Sequence, residues 1–194
     1  FQVNDGTDSA VTAATEVVQV TATNDTPVIS LTDGSPEFVE DDGTDSGDGV
    51  VINDSIVLAD LDGAVASATV TIENAKTDDV LLFTDTTKIA GSYASGVLTL
   101  SAVSGQTPTT AEFQAALRTV AFANTSDTPD ETNRDITFQV SDGTDSAVTA
   151  ATEVVQVTAT NDTPVISLTD GSPEFVEDDG SDDGDGVVIN DSIV

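Results

Sequence analysis

The strongest constraint on this chain is an internal repeat, because residues 1–57 recur almost unchanged as residues 138–194. The aligned copies differ at only three positions: Asn4 against Ser141, Thr44 against Ser181, and Ser46 against Asp183. Such identity indicates a tandem array whose unit spans 137 residues, a usual size for one hydrophobic core. An enzyme gains little from repeating a unit, whereas a spacer, scaffold or multivalent binder gains reach or valence with each copy.

The boundaries of the unit are indicated by two copies of the sequence Asn-Asp-Thr-Pro, which end at Pro27 and Pro164. Proline stops the preceding strand and fixes the start of the next one, as expected of a linker between domains. We therefore expect residues 1–23 to be the last strands of an upstream repeat. Residues 24–160 are then a complete repeat, and residues 161–194 are the first strands of the next one.

The apolar residues are typical of β-strands, since the chain is rich in Val, Ile and Thr and contains no Trp or Met. Alternating or β-branched runs end at clusters of Gly, Asp, Asn or Pro, which predicts an all-β, antiparallel sandwich of the immunoglobulin type. The predicted strands are Thr15–Thr23, Pro27–Leu31, Val50–Leu58, Ala64–Ile72, Val80–Phe83, Gly96–Ala102, Thr119–Ala123, Ile136–Val140 and Thr152–Thr160.

One segment departs from the strand pattern. Within Thr109–Leu117, Thr109 and Glu112 have the spacing of a helical capping box. Four apolar residues recur on one face at helical spacing: Phe113, Ala116, Leu117 and Val120. We expect one short helix there, packed over one end of the sandwich.

The chain is strongly acidic, with a net charge of −32 at pH 7. This charge repels nucleic acid and anionic lipid, and no apolar run is long enough to enter a membrane, so neither partner is expected. Bound cations, adaptation to high salt or a disordered acidic chain would each explain the charge. The periodic apolar runs argue against disorder. Because Cys and His are absent, only hard, oxygen-preferring cations fit the first explanation.

Catalysis is not expected, because without His or Cys only a carboxylate pair remains as acid and base. Aromatic residues make up 4% of the chain, too few for a cleft that stacks on sugar rings. Lys76 and Lys88 leave open an intramolecular Lys–Asn bond of the kind found in some surface fibres.

Acidic motifs follow one another in a fixed order along the unit. They are FVED with Glu40, DLDG with Asp60 and Asp62, VSDG with Asp142, and the linker NDTP with Asn161 and Asp162. In this order they resemble the motifs of cadherin repeats. The resemblance is closer to the cadherin-like tandem repeats in the extender region of large RTX-type bacterial adhesins secreted by the type I route, where GVLTL, a helix like AEFQAALRTVAF, NTSD and a closing NDTP recur. The cadherin Asp-Arg-Glu element has no match here.

The sandwich itself predicts where these motifs meet, because the loop after the second strand and the loop before the last strand open where the chain enters. Asp60, Asp62 and Asp142 should therefore converge on Asn24 and Asp25. Carboxylates this close repel unless they are neutralised, and Ca²⁺ accepts six to eight oxygens. We therefore predict a Ca²⁺ site at this joint. A second joint is predicted at the other end of the unit: Glu40, Asn161 and Asp162.

Two other segments of the unit are rich in acidic residues. Residues 41–48 resemble a calcium loop in composition but lack the EF-hand spacing, so the sequence does not decide whether they bind calcium. Asp127, Asp130 and Glu131 are expected to form a solvated loop.

The resemblance implies a calcium-stiffened extender that holds a distal binding domain away from a bacterial cell. It would serve cell adhesion at the surface or in a biofilm matrix, with neighbouring repeats of the same chain as its partners. One alternative is a module that binds polysaccharide or itself, for which Tyr93 is the only tyrosine available. Another is a self-assembling extracellular matrix fibre. The covalent array is favoured, because the two split ends together lack a middle like residues 58–137.

Overall fold

The computed structural model describes residues 1–9, 12, 15–32, 34–40 and 49–162. Within these ranges the elements are β1 (Val28–Ser30), β2 (Glu37–Val39), β3 (Val50–Val51), β4 (Val57–Ala59), β5 (Ser67–Ile72), β6 (Asp79–Leu82), β7 (Ile89–Ala94), β8 (Val97–Ala102), α1 (Thr110–Leu117), β9 (Ala121–Asn124), β10 (Arg134–Ser141) and β11 (Ala151–Thr158). The acidic loop 41–48 and the predicted strands of the next repeat within 163–194 lie outside the described residues.

The described strands form three sheets that enclose one hydrophobic core. A six-stranded sheet has the order β2-β11-β10-β5-β8-β7, a three-stranded sheet has the order β3-β9-β6, and β1 pairs with β4. The described ladders are antiparallel except the parallel pairing of β2 with β11. Phe38 and Phe122 meet edge to face between the sheets, with ring centroids 5.5 Å apart. The described residues thus confirm an all-β, sandwich-like fold with one short helix.

Strand alternation builds the core. In β10, Ile136, Phe138 and Val140 are buried, while the residues between them are exposed or half-buried. Phe138 lies opposite Val70 of β5, which is also fully buried. Each such side chain contributes about 1.5–3 kcal/mol when it leaves water, so the alternation fixes which face of the sheet points inward.

The helix forms as predicted. The Thr109 side chain accepts a hydrogen bond from the Glu112 backbone N–H at 3.2 Å, and the Glu112 carboxylate accepts one from the Thr109 N–H at 2.8 Å. These reciprocal bonds satisfy two helix-terminal donors. All four residues of the predicted apolar face are buried. The helix also holds β4, because the Gln114 side chain accepts a hydrogen bond from the Leu58 N–H at 3.0 Å.

The predicted strands differ from the structure in several places. The predicted strand Val50–Leu58 is two strands, because the Asn53 side chain bonds the Ser55 backbone N–H at 2.8 Å and turns the chain between β3 and β4. Strand β2 was missed because it lies between Pro36 and the acidic run that begins at Glu40, a composition typical of loops. Strand β7 was missed because its Gly, Ala and Ser residues have little β-propensity. It pairs with β8 through a turn at Ser95 and Gly96, where φ is 51° and 83°.

The predicted strand Thr15–Thr23 does not form in the structure. Residues 15–26 are exposed and belong to none of the sheets that the described residues form. The same nine residues occur at 152–160, where they supply most of β11. There they lie between β10 and β2, so the difference arises from neighbouring strands and not from the sequence of the segment.

Candidate functional site at the Asn24 linker

The turn after β10 is built by Asp142. Its Oδ1 accepts hydrogen bonds from the backbone N–H groups of Thr144 and Asp145, both at 2.7 Å, and Gly143 takes a φ of 94° that favours glycine. The other carboxylate oxygen, Oδ2, accepts a hydrogen bond from the Asn24 side chain at 2.9 Å. The same Asn24 amide also donates to Asp145 Oδ2 at 3.0 Å. The turn thus presents two carboxylates to the linker.

The turn after β4 holds the other side of the linker. Asp60 Oδ1 accepts hydrogen bonds from the N–H groups of Asp62 and Gly63, at 3.4 and 3.2 Å. Asp62 Oδ2 in turn accepts a hydrogen bond from the Asp25 backbone N–H at 2.9 Å. Asp60 Oδ2 is shielded from solvent and has no hydrogen-bond partner. A carboxylate oxygen in that state gains from a cation or an ordered water.

The structure therefore brings Asn24 and Asp25 into contact with both acidic turns. Asp145 joins this group although sequence reasoning did not select it. Its position could have been predicted from the spacing. An Asp at the start of a turn accepts a hydrogen bond from the N–H of the residue three positions later, so Asp142 holds Asp145 close to itself.

The other three predicted residues lie at the opposite end of β11, about 26 Å away for eight residues at 3.3 Å each. Glu40 is 6% exposed, and its carboxylate accepts a hydrogen bond from the Thr160 N–H at 2.8 Å. Asn161 bonds only the Asp162 backbone oxygen among the described residues, at 3.0 Å. Asp162 Oδ1 is shielded from solvent without a hydrogen-bond partner. The eight predicted residues thus form two groups, one at each end of the unit.

The loop of Asp127, Asp130 and Glu131 is exposed, as predicted. Glu131 nevertheless reaches the second linker, because its carboxylate accepts a hydrogen bond from the Ala159 N–H at 3.3 Å. In the described part of the chain, no three Asp or Glu residues form a group with the geometry of a metal site.

Both lysines have carboxylate partners. Lys88 Nζ lies 2.8 Å from a Glu112 oxygen, and Lys76 Nζ lies 3.9 Å from an Asp130 oxygen. These exposed ion pairs contribute little to stability. They give no support to the Lys–Asn bond that the sequence left open.

Hydrogen bonds lower the pKa of Asp142 below its ordinary value of 3.8. The largest cause is the backbone N–H of Asp145, followed by the Asn24 side chain and the Thr144 N–H. The pKa of Asp5, the counterpart of Asp142 in the first copy, is also lowered, chiefly by the N–H groups of Asp8 and Thr7. Each donor favours the charged carboxylate, so the side chains of Asp142 and Asp5 stay ionised in mildly acidic solution.

Comparison with protein-family models, curated proteins and solved structures finds no match to this chain. Among the described residues, none of the helices is long and apolar enough to cross a bilayer.

Replacing Asn24 with alanine is expected to raise the pKa of Asp142 towards its ordinary value, because the variant removes a donor to the charged form. The hydrogen bond between Asn24 and Asp142 stabilises the folded state at pH values above the pKa that Asp142 has in the unfolded chain. This stabilisation is lost as the pH falls through the lowered pKa of Asp142 in the folded state. NMR titration of the carboxyl carbons measures the pKa of Asp142 in the parent and in the variant. Asp5 is an internal control, since it keeps the same backbone donors. An unchanged Asp142 pKa would show that the Asn24 contact is absent in solution.

Proposed function

We propose that this chain is part of a calcium-stiffened extender of a repetitive bacterial surface adhesin. The observation that supports the proposal best is that the linker residues Asn24 and Asp25 bond both acidic turns of the complete unit. A joint of this kind fixes the angle between a domain and the one before it. Repetition of the unit then converts a stiff joint into a long, straight chain.

Calcium would supply what the joint lacks, which is positive charge. The carboxylates of Asp60, Asp62, Asp142 and Asp145 lie in the two turns, and Asp60 Oδ2 has no partner. The Asn24 amide has an oxygen as well as a nitrogen, and turning the amide over would present that oxygen to a cation. This set of oxygens is the kind that Ca²⁺ accepts. Neutralising the turns would also reduce the self-repulsion of a chain with a net charge of −32.

The proposal places the protein outside the cell, at the bacterial surface or in the biofilm matrix, with the adjoining repeats of the same chain as its partners. A polysaccharide-binding role has less support. The Tyr93 hydroxyl donates a hydrogen bond to the Asp79 backbone oxygen at 2.9 Å, and the ring packs partly against the core. Burial raises the pKa of Tyr93. Its only tyrosine therefore serves the fold.

Calcium is expected to raise the free energy of unfolding of the 194-residue chain. At 10 mM free Ca²⁺ the increase should be about 1.4–2.7 kcal/mol per site for a dissociation constant of about 10⁻⁴–10⁻³ M. The variant Asp62→Asn/Asp142→Asn should lose this increase, because it removes two charges from the joint. Chemical denaturation with and without chelator, at fixed ionic strength, measures the difference.

The matched control is Asp78→Asn/Asp127→Asn, which removes the same charge from exposed side chains outside the joint. It should keep the response of the parent. Equal responses of the two variants would mean that calcium only screens the net charge.

The stiffening of the joint is measured separately, by small-angle scattering of a chain of several repeats. With Ca²⁺ the parent should behave as a rod and the joint variant as a shorter, flexible chain, and equal maximum dimensions would contradict the hinge assignment.

A further inference from the structure

The two identical copies of one strand segment have different surroundings. Residues 152–160 lie mostly within β11, whereas residues 15–23 are exposed and outside every sheet, although the nine residues are the same. The space between β2 and β10 that β11 fills is here called the β11 slot. It binds a nine-residue sequence of which the chain carries a second copy, and that copy lies outside the sheets of the described residues.

The contacts that hold β11 depend on residues that the upstream copy also has. Val155 and Val157 are buried in the core. Glu153 is 2% exposed, and its carboxylate accepts hydrogen bonds from the Gly34 and Ser35 N–H groups, both at 3.2 Å, and from the Asn53 side chain. The counterparts in the first copy, with identical side chains, are Glu16, Val18 and Val20. Residues 15–23 can therefore remake each of these contacts.

The segment cannot reach the slot of its own chain while the linker is in place. Asn24 is bonded to Asp142 at the end of the domain where β11 begins. In the slot, Thr23 would take the place of Thr160 at the far end, about 26 Å away. Adjacent Cα atoms are about 3.8 Å apart, so Thr23 cannot lie at one end while Asn24 stays at the other. The slot that residues 15–23 can fill belongs to a second molecule.

We propose that residues 15–23 of one chain enter the β11 slot of a second copy and join the two head to tail. The linker 24–27 of the first chain would then follow the second domain just as Asn161 and Asp162 follow it now, because residues 24–27 and 161–164 have the same sequence. Glu40 of the second chain would meet Thr23 as it meets Thr160 in the monomer. The product is the joint of the tandem array without a covalent link.

This exchange needs no new kind of contact. Each incoming segment displaces an identical one, so the number of hydrogen bonds and the buried apolar surface are unchanged. The displaced residues 152–160 are then free to enter a third copy, so that head-to-tail contacts of this type build a ring or an open filament, depending on the rotation between copies. It differs from pairing between the split ends alone, since the acceptor domain supplies the whole middle of the sandwich. It also goes beyond the extender proposal, because it requires no calcium.

The test uses the register of β10 and β11. Val154 lies opposite Asp135, and both side chains point outward. One chain carries Val17→Cys, the counterpart of residue 154, and the other carries Asp135→Cys. The two chains are unfolded together, refolded by dilution and oxidised. A disulfide between them should form, since directly opposed strand residues have suitable Cα distances and the parent chain has no cysteine.

The matched control is Val18→Cys, which is as exposed as Val17 in the monomer, at 80% against 87%. Its counterpart Val155 points inward, so in the exchanged dimer it cannot reach Asp135→Cys. We expect about tenfold more linked dimer from Val17→Cys. The yield should also rise about tenfold from about 10 µM to about 100 µM protein, because the tethered strand competes at an effective concentration near 1 mM. Equal yields from the two cysteines would overturn the proposal. Light scattering of the refolded parent gives an independent readout, in which monomer alone at the higher concentration would also overturn it.

Discussion

Replacing Arg134 with methionine is expected to lower the free energy of unfolding by about 3–5 kcal/mol, because it leaves a buried carboxylate without its cation. Arg134 and the Asp79 side chain are both fully buried. The Arg134 Nε donates to Asp79 Oδ2 at 2.6 Å and Nη2 donates to Oδ1 at 3.2 Å. The guanidinium also lies 6.0 Å from the centroid of the Phe122 ring. Urea denaturation of parent and variant measures the loss.

Arg118→Met is the matched control, since Arg118 donates one hydrogen bond to the Ile56 backbone oxygen at 2.8 Å. Its cost should be about 0.5–1.5 kcal/mol. Adding Asp79→Leu to Arg134→Met should recover part of the loss, because no buried charge remains. Recovery stays incomplete, since Asn124 and the Lys76 N–H also donate to the Asp79 carboxylate. A loss below about 1 kcal/mol for Arg134→Met would contradict the role of the ion pair.

Phe122→Ala is expected to cost about 3–5 kcal/mol, through lost transfer energy and the cavity that remains. The Phe122 ring is fully buried in the middle strand of the three-stranded sheet, packs on Phe38 and lies beneath Arg134. Phe83→Ala is the control, because Phe83 is only partly buried at the edge of the core. Its cost should be clearly smaller. The free energies of unfolding are compared from the denaturation midpoints, provided that the dependence on denaturant concentration is the same. Similar losses of free energy for both variants would show that the Phe122 ring does not join the two sheets as described.

Features that depend on adjacent residues were predictable from the sequence. The capping box of Thr109 and Glu112 places the helix, and it forms with the expected bonds. The turn at Asp142 is also local. Its counterpart at Asp5 forms the same bonds to Thr7 and Asp8, although residues 15–23, which follow it in the chain, lie outside the sheets that the structure describes. The alternation of apolar and polar residues in β5 and β10 predicted those two strands, and the structure buries the apolar positions.

Features that depend on distant residues were not predictable. Residues 15–23 and 152–160 show this directly, because one sequence is a strand only where β2 and β10 lie beside it. The pairing of Arg134 with Asp79 joins two different sheets, and no local pattern marks either residue as buried. The place of Asp145 in its turn follows from local spacing, but its bond to Asn24 joins residues 121 positions apart, and no local pattern predicts that contact.

The parallel pairing of β2 with β11 has a mechanical consequence. A pull on the unit between Asn24 and Thr160 acts at opposite ends of β11, because Asn24 is bonded to the turn after β10 at one end and Thr160 follows β11 at the other. Strand β11 is held by β10 on one side and β2 on the other, so the tension is shared by the bonds of both ladders at once. When two paired strands are instead pulled apart at one end, perpendicular to their axes, their hydrogen bonds break one at a time. The domain therefore meets tensile load in shear, the direction in which a sheet resists rupture best.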